Sequence, residues 1–218
     1  MGKLIVIEGL DGSGKATQAE LLYKYLADRN ENVRKVSFPN YDSPSSALIK
    51  MYLGGEFGSR PDDVNAYAAS TFFAVDRFAS FKKDWQHDLE KGTVIADRYT
   101  TSNAIHQCSK LPEEQWDSFI DWLFRFEYEE LSIPKPDVTV YLRVETQTSQ
   151  RLLKERYHGE DKRDIHERDL EYLEKCRKAA AYCAEKLGWL VIDCSANGEM
   201  RSREEILNDI IKAALEHK

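Results

Sequence analysis

The sequence has no run approaching the ~18 consecutive apolar residues that a membrane-crossing helix requires. Between Lys3 and Glu8 stand only four apolar residues, too few for the hydrophobic region of a secretory signal. A cytoplasmic protein without a membrane partner is therefore expected. Positive charge is not in excess: 31 lysines and arginines face 38 acids, a net charge of −7. Proteins that track phosphate backbones need a positive balance or patch, so a nucleic acid polymer is not the expected partner. A small anion held by local donors remains compatible with that balance.

The four cysteines, Cys108, Cys176, Cys183 and Cys194, form no C-x-x-C pair, and no His-x-x-x-His stands beside them. That excludes the common zinc spacings and leaves reduced thiols. Cys176 and Cys183 fit one face of a helix. His87, His106, His158, His166 and His217 show no metal spacing and read as surface or core residues; Trp85, Trp116, Trp122 and Trp189 read as packing. Repeats, low-complexity tracts and Gly/Ser linkers are absent. Residues 1–218 are expected to form one domain, long enough to bury a core without staples.

Short apolar runs alternate with helical patterns, which predicts a parallel sheet wrapped by helices. The predicted strands are Leu4–Glu8, Val33–Phe38, Thr93–Asp97, Val138–Val144 and Trp189–Asp193. All but the second are almost continuously apolar, as strands covered on both faces should be. Helices are predicted over Lys15–Asp28, from the Pro61-Asp62-Asp63 start signal toward Leu89, and after Leu111-Pro112. Two more run over Asp169–Leu187, ending at Gly188, and over Ser202–Ala214, opened by the capping box Ser202-Arg-Glu-Glu205. Open parallel sheets bind ligands at the carboxyl ends of their strands. Gly9–Lys15, Pro39–Tyr41, Asp97–Tyr99 and the segment after Asp193 fall there.

Gly9-Leu10-Asp11-Gly12-Ser13-Gly14-Lys15 has the G-x-x-x-x-G-K spacing of a Walker A loop, between an apolar strand and a helix. Glycines let successive N–H groups curl around phosphate oxygens, the helix adds its positive end, and Lys15 brings a mobile ammonium. The fold class expected is a P-loop NTPase-type α/β sandwich of three layers, with a five-stranded parallel sheet and a lid. ATP is expected on residues Gly9 to Thr17. The position after Lys15 departs from the pattern: Ala16 has no hydroxyl and cannot ligate a metal. Thr17 lies about 100° further around the helix. Mg²⁺ accepts several waters and phosphate oxygens, so it could stay with the nucleotide, aided by Asp97 directly or through water. A non-catalytic nucleotide-binding module is the alternative that Ala16 leaves open.

Three further motifs follow in order: Phe38-Pro39-Asn40-Tyr41, Phe73-Ala74-Val75-Asp76-Arg77 and Asp97-Arg98-Tyr99. Together with the glycine loop they resemble the thymidylate kinase family over nearly the whole chain. The resemblance implies phosphoryl transfer from ATP to dTMP with Mg²⁺, in a homodimer joined through the helices around Asp62–Leu89. It implies that Phe73 stacks on the thymine, Arg77 reads its edge and Arg98 grips the acceptor phosphate. Phe38 and Pro39 would border that acceptor site. Tyr99 would shape the sugar pocket, Asp11 would accept from the 3′-hydroxyl, and Asp97 would lie near metal and reacting phosphates. Plainer readings stand beside these: Phe73 as helix core with Phe72 inward instead, Arg77 in an ion pair, and Phe38-Pro39 as a strand-ending turn.

Residues 151–168 mix Arg151, Lys154, Arg156, Lys162, Arg163 and Arg168 with acids around His158-Gly159. They read as a solvated helix–loop–helix or as a lid over ATP. In the family an arginine for the transferring phosphoryl comes from the P-loop or the lid; Gly12 fills the loop position, so Arg156 or Arg163 is expected to supply it. Other nucleoside monophosphate kinases and deoxynucleoside kinases remain alternatives. A kinase of nucleosides needs a carboxylate base beside the second strand, and Phe38–Tyr41 offers none before Asp42.

Overall fold

The computed structural model describes residues 2–146, 148, 149, 151 and 170–216. Its centre is strand β1, Lys3–Gly9, where Leu4, Ile5, Val6 and Ile7 are all fully buried. Alternation along the strand sends Leu4 and Val6 to one face and Ile5 and Ile7 to the other, and each pair joins a separate apolar cluster. Burying each such side chain stabilises the fold by about 1.5–3 kcal/mol relative to exposure.

Four parallel strands flank it: β2 (Val33–Ser37), β3 (Thr93–Asp97), β4 (Val138–Arg143) and β5 (Leu190–Asp193). The order is β2-β3-β1-β4-β5. Register pairs Ile7 with Asp97 and Asp97 with Ser37, so the carboxyl ends of the first three strands finish level. All five predicted strands are present within a residue or two of their expected bounds.

Helix α1, Lys15–Ala27, buries Ala19, Leu22 and Leu26 against β1 and the C-terminal helix. Helix α2 covers Ala47–Leu53, α3 Ala66–Ser80, α4 Gln86–Lys91, α5 Thr100–Cys108, α6 Trp116–Phe124, α7 Leu170–Lys186 and α8 Arg203–Leu215. A small hairpin, β6 (Ser195–Ala196) with β7 (Glu199–Met200), precedes α8. The end signals of α7 and α8 act as expected. Gly188 takes φ +65° just past α7, and Ser202 Oγ accepts from the Glu205 amide while the Glu205 carboxylate accepts from the Ser202 amide.

The predicted long helix from Pro61 is corrected. Pro61–Asp63 makes only a 3₁₀ turn, and Val64 is extended. The α-helix begins after Asn65, whose side chain accepts from the Ala68 amide at 2.9 Å. It then runs into a π-helical turn, Phe81–Trp85, before α4. The helix expected after Leu111 likewise starts at Trp116, behind a 3₁₀ turn, and continues into a π-helical turn over Arg125–Glu130. Of the candidate lid, only Arg151 belongs to the described residues before Leu170; Arg156 and Arg163 lie outside them.

Candidate active site

The glycine loop starts where β1 ends. Gly9 has φ +157°, and a Cβ there would lie 2.5 Å from Ser13 Oγ and 2.9 Å from the Leu142 carbonyl, so only glycine fits. Gly14, at φ +83°, caps α1, and its carbonyl accepts from the Gln18 amide. Beneath the loop lies a fully buried acid, Glu8. Its oxygens accept from the Gly9 amide at 2.9 Å, Thr101 Oγ1 at 2.7 Å and Ser102 Oγ at 2.8 Å. Three donors on one carboxylate offset its desolvation and tie the loop to the start of α5.

Lys15 Nζ donates to the Leu10 carbonyl at 2.9 Å and sits 3.8 Å from the Asp11 carboxylate. Burial, then the charge of Arg98, lowers its pKa from 10.5 to about 8 despite Asp11, Glu8 and Asp97. Arg98 takes φ +66°, a left-handed backbone that is uncommon for a side chain of its size, and its amide donates to the Ile7 carbonyl. That turn brings the guanidinium to an ion pair with Asp11. No Asp97–Arg98 ion pair forms. Burial lowers the Arg98 pKa, but Asp11, Glu8 and Asp97 outweigh it, so Arg98 stays charged.

His106 was not expected at the site. Its Nε2 lies 3.4 Å from Arg98 Nη1, and a guanidinium can only donate, so Nε2 is the unprotonated nitrogen. Burial and then Arg98 push its pKa down to about 3. Nδ1 faces Tyr172 Oη and Cys176 Sγ on α7, at 3.3 and 3.5 Å.

One cavity of about 860 Å³ runs from the loop past Arg98 to a recess bordered by Phe38, Pro39, Phe73, Arg77, Asn103 and Gln107. Gly12 through Thr17 and Asp97 also border it, as do Met200 and Arg203 at the opposite end. The loop after β2 is held by Asp76, which accepts from the Asn40 amide at 2.8 Å and Ser45 Oγ at 2.6 Å. Phe73 faces the cavity, while its neighbour Phe72 packs on Phe57 and Tyr52. Tyr99 borders the recess with its ring, but its hydroxyl is turned away to the Pro134 carbonyl at 2.9 Å. Leu10 borders a second cavity behind the loop.

Arg77 is buried and doubly bonded to Glu127, with Nε at 2.7 Å from Oε2 and Nη2 on Oε1. Thr100 Oγ1 and Asn103 Nδ2 donate to the same carboxylate at 2.8 and 3.1 Å. Nη1 makes no hydrogen bond among the described residues. Gln107 is fully buried, and neither its amide nitrogen nor its oxygen has a partner among them. Glu8, Glu127, Asn103, His106 and Gln107 escaped the sequence analysis. A lone acid or amide carries no local pattern that separates burial from exposure, although Asn103, His106 and Gln107 follow the Asp97-Arg98-Tyr99 motif at helical spacing.

The loop offers a phosphate cradle, and the recess offers an aromatic wall and unspent polar groups, with a cationic fork between them. Comparison with known proteins gives the family. A family model described as thymidylate kinase matches residues 7–206. Thymidylate kinase from Mycobacterium tuberculosis is 34% identical over 193 residues, covering 85% of this chain and 87% of the relative. The Plasmodium falciparum enzyme is 29% identical over 211 residues, covering 97% and 89%. The solved thymidylate kinase of Candida albicans superposes with a TM-score of 0.70 at 22% identity, covering 100% of this chain and 94% of the other, which speaks to the fold alone. With the family model spanning most of its length, this chain belongs to the thymidylate kinase family and is a nucleotide kinase.

Proposed function

We propose that the chain transfers the terminal phosphoryl group of ATP to dTMP, giving dTDP and ADP. The observation that carries this reading is the single cavity joining Lys15 and the loop amides to the Phe73 recess, with Arg98 at the junction. ATP takes the loop with its phosphates, and dTMP takes the recess with its base. An aromatic platform such as Phe73 is worth about 1–3 kcal/mol per stacked base. Gln107 and Arg77 Nη1 are the donors and acceptors left over for the base edge. Asp11, already on Arg98, lies where it can also accept from the sugar hydroxyl.

The nucleophile is an oxygen of the acceptor's own phosphate. It forms a new bond to the γ-phosphorus while the bond to the β,γ-bridging oxygen breaks, and ADP leaves with that electron pair. A charged nucleophile needs no strong base, so catalysis consists of alignment and charge neutralisation. Lys15 and the loop amides hold the donor, and Arg98 holds the acceptor. An arginine of residues 151–168, Arg156 or Arg163, completes the set. The acids beside β2 suit this reading: Asp76 is spent on Asn40 and Ser45, and Asp42 is exposed, so neither serves as a base for a neutral 5′-hydroxyl.

Mg²⁺ fits the donor set in a reduced form. Asp97 borders the cavity and makes no side-chain hydrogen bond among the described residues, while Ala16 offers none. No cluster of three or more metal-binding side chains occurs among those residues. Asp97, phosphate oxygens and water would hold the ion, which, when bound, neutralises developing charge on the phosphates.

The protein acts as a homodimer in this reading. Tyr67 and Val75 expose 41% and 43% of themselves along α3, and Tyr67 stacks edge-on against Trp122 of α6 at 4.7 Å. That leaves an apolar stripe suited to a second copy. No helix among the described residues is long and apolar enough to cross a membrane, and all four cysteines are free, which accords with a cytoplasmic enzyme.

The test is incubation with ATP and, separately, dTMP, thymidine and the other monophosphates, following ADP release. Release dependent on dTMP is expected. Turnover of thymidine without dTMP would reverse the assignment, and ATP binding without any acceptor-dependent release would make this a regulatory module.

A further inference from the structure

The buried carboxylate of Glu127 has no part in the chemistry above, yet four donors converge on it: two from Arg77, one from Thr100 and one from Asn103. Its place comes from local structure. Helix α6 loosens into the π-helical turn Arg125–Glu130, and the extra residue in that turn rotates the face it presents. Glu127 is thereby sent inward, while Arg125, Glu129 and Glu130 stay exposed. Stability alone does not explain such a pair, because a buried ion pair is often matched or bettered by apolar residues of equal volume.

What the pair does achieve is orientation. With Nε and Nη2 fixed on Glu127, the guanidinium plane is set and Nη1 is left as the spare donor at the cavity wall. Glu127 also cancels the charge of Arg77, so this arginine presents a neutral-site donor and does not compete with Arg98 for the acceptor phosphate. A pyrimidine held by its phosphate at Arg98 and by its ring at Phe73 points the edge opposite its sugar into the recess. On that ring the atom opposite the sugar-bearing nitrogen is C4.

We propose that Glu127 is a positioning residue that aims Arg77 at the C4 substituent and so makes the enzyme select a 4-oxo over a 4-amino pyrimidine. The inference rests on the assignment of dTMP as acceptor. An oxygen at C4 accepts from Nη1; an amino group there meets donor with donor and leaves both unpaired. Sites built on a hydrogen bond of this kind reject the wrong partner strongly, here by roughly 100-fold or more.

The experiment compares kcat/KM for dTMP, dUMP and dCMP with ATP in the wild-type protein and in Glu127→Gln. The wild type is expected to favour dTMP over dCMP. In the variant that preference should fall at least tenfold, through a rise in KM for dTMP larger than the fall in kcat. The dTMP-to-dUMP ratio, which reports the methyl group, should change less than twofold. Equal loss on all three acceptors, or an unchanged dTMP-to-dCMP ratio, overturns the proposal. In a double-mutant cycle with Arg77→Lys, the second substitution should add little to the first; independent, multiplying losses overturn it as well. Should Glu127→Gln fail to fold, Thr100→Val removes one donor at constant shape and should lower the dTMP-to-dCMP preference about threefold, an unchanged ratio again refuting the idea. Failure of the wild type to use dTMP at all would instead strike the assignment of the acceptor itself.

Discussion

Arg98, just past the end of β3, pairs with Asp11 in the glycine loop that follows β1. Both side chains are about one-fifth exposed, so the pair sits at the cavity edge, where a ligand can share it. The pair holds the fork in place before any phosphate arrives, and the left-handed backbone of Arg98 aims it there.

Replacing Arg98 by Met removes the cation at the junction and strands Asp11. Loss of one member of a hydrogen-bonded charge pair costs about 2–5 kcal/mol. The expected result is a fall in kcat/KM for dTMP of roughly 100- to 1,000-fold, with ATP affinity changed far less. Steady-state kinetics and ATP titration of the same variant check both halves.

Lys15 titrates near pH 8 in the free protein, and only its ammonium form attracts phosphate. ATP affinity should therefore weaken as pH rises above 8, and binding at pH 8.5 should take up protons. Calorimetry in two buffers of different ionisation enthalpy measures that uptake. The sign for stability is opposite. Because the folded pKa lies below the unfolded 10.5, the charged form penalises folding at neutral pH. That penalty, about 3 kcal/mol at 1.36 kcal/mol per pH unit, is relieved as pH rises from 8 toward 10.5, and Lys15→Met should remove it at pH 7.

Ala16→Ser restores a hydroxyl beside Lys15. The expected outcome is a lower Mg²⁺ concentration for half-maximal activity at unchanged saturating rate. Titration of both proteins with Mg²⁺ at fixed ATP decides it, and an identical requirement refutes the account of the metal given above.

Gln107→Leu exchanges a buried amide without partners among the described residues for an apolar side chain of similar size. An unsatisfied buried polar group costs about 1–3 kcal/mol, so the variant should resist urea better by an amount in that range. Its affinity for dTMP should drop at the same time. Improved stability together with undiminished dTMP binding would remove Gln107 from the acceptor site.

Val75→Glu places a charge on the exposed stripe of α3. Sedimentation should find the unsubstituted protein a dimer, as proposed, and the variant a monomer at the same concentration, while far-ultraviolet circular dichroism stays the same.

The strands and the loop were legible because their signals are local. Leu4 to Ile7 are continuously apolar, and the glycines stand at fixed spacing before Lys15. The start of α3 was misjudged because Pro61-Asp62-Asp63 is a genuine local turn, and the competing cap at Asn65 has no stronger signature. Glu8 and Glu127 were invisible for a different reason. Each is buried only because donors from Thr101, Ser102, Arg77, Thr100 and Asn103 meet it, and all five lie more than twenty residues away from the acid they serve. Arg77 looked like a base reader or an ion-pair partner; the structure makes the ion pair and keeps one nitrogen at the cavity.

Because β1 lies in the middle of the sheet, the loop at its tip is a shared wall between two halves of the molecule. In the proposed reading everything on the β2–β3 side, from Phe38 through Arg77 to Gln107, handles the recipient of the phosphoryl group. Met200 and Arg203, beyond β5, border the far end. An engineer could thus exchange the first of these regions to change what is phosphorylated, leaving the source of the phosphoryl group as it is.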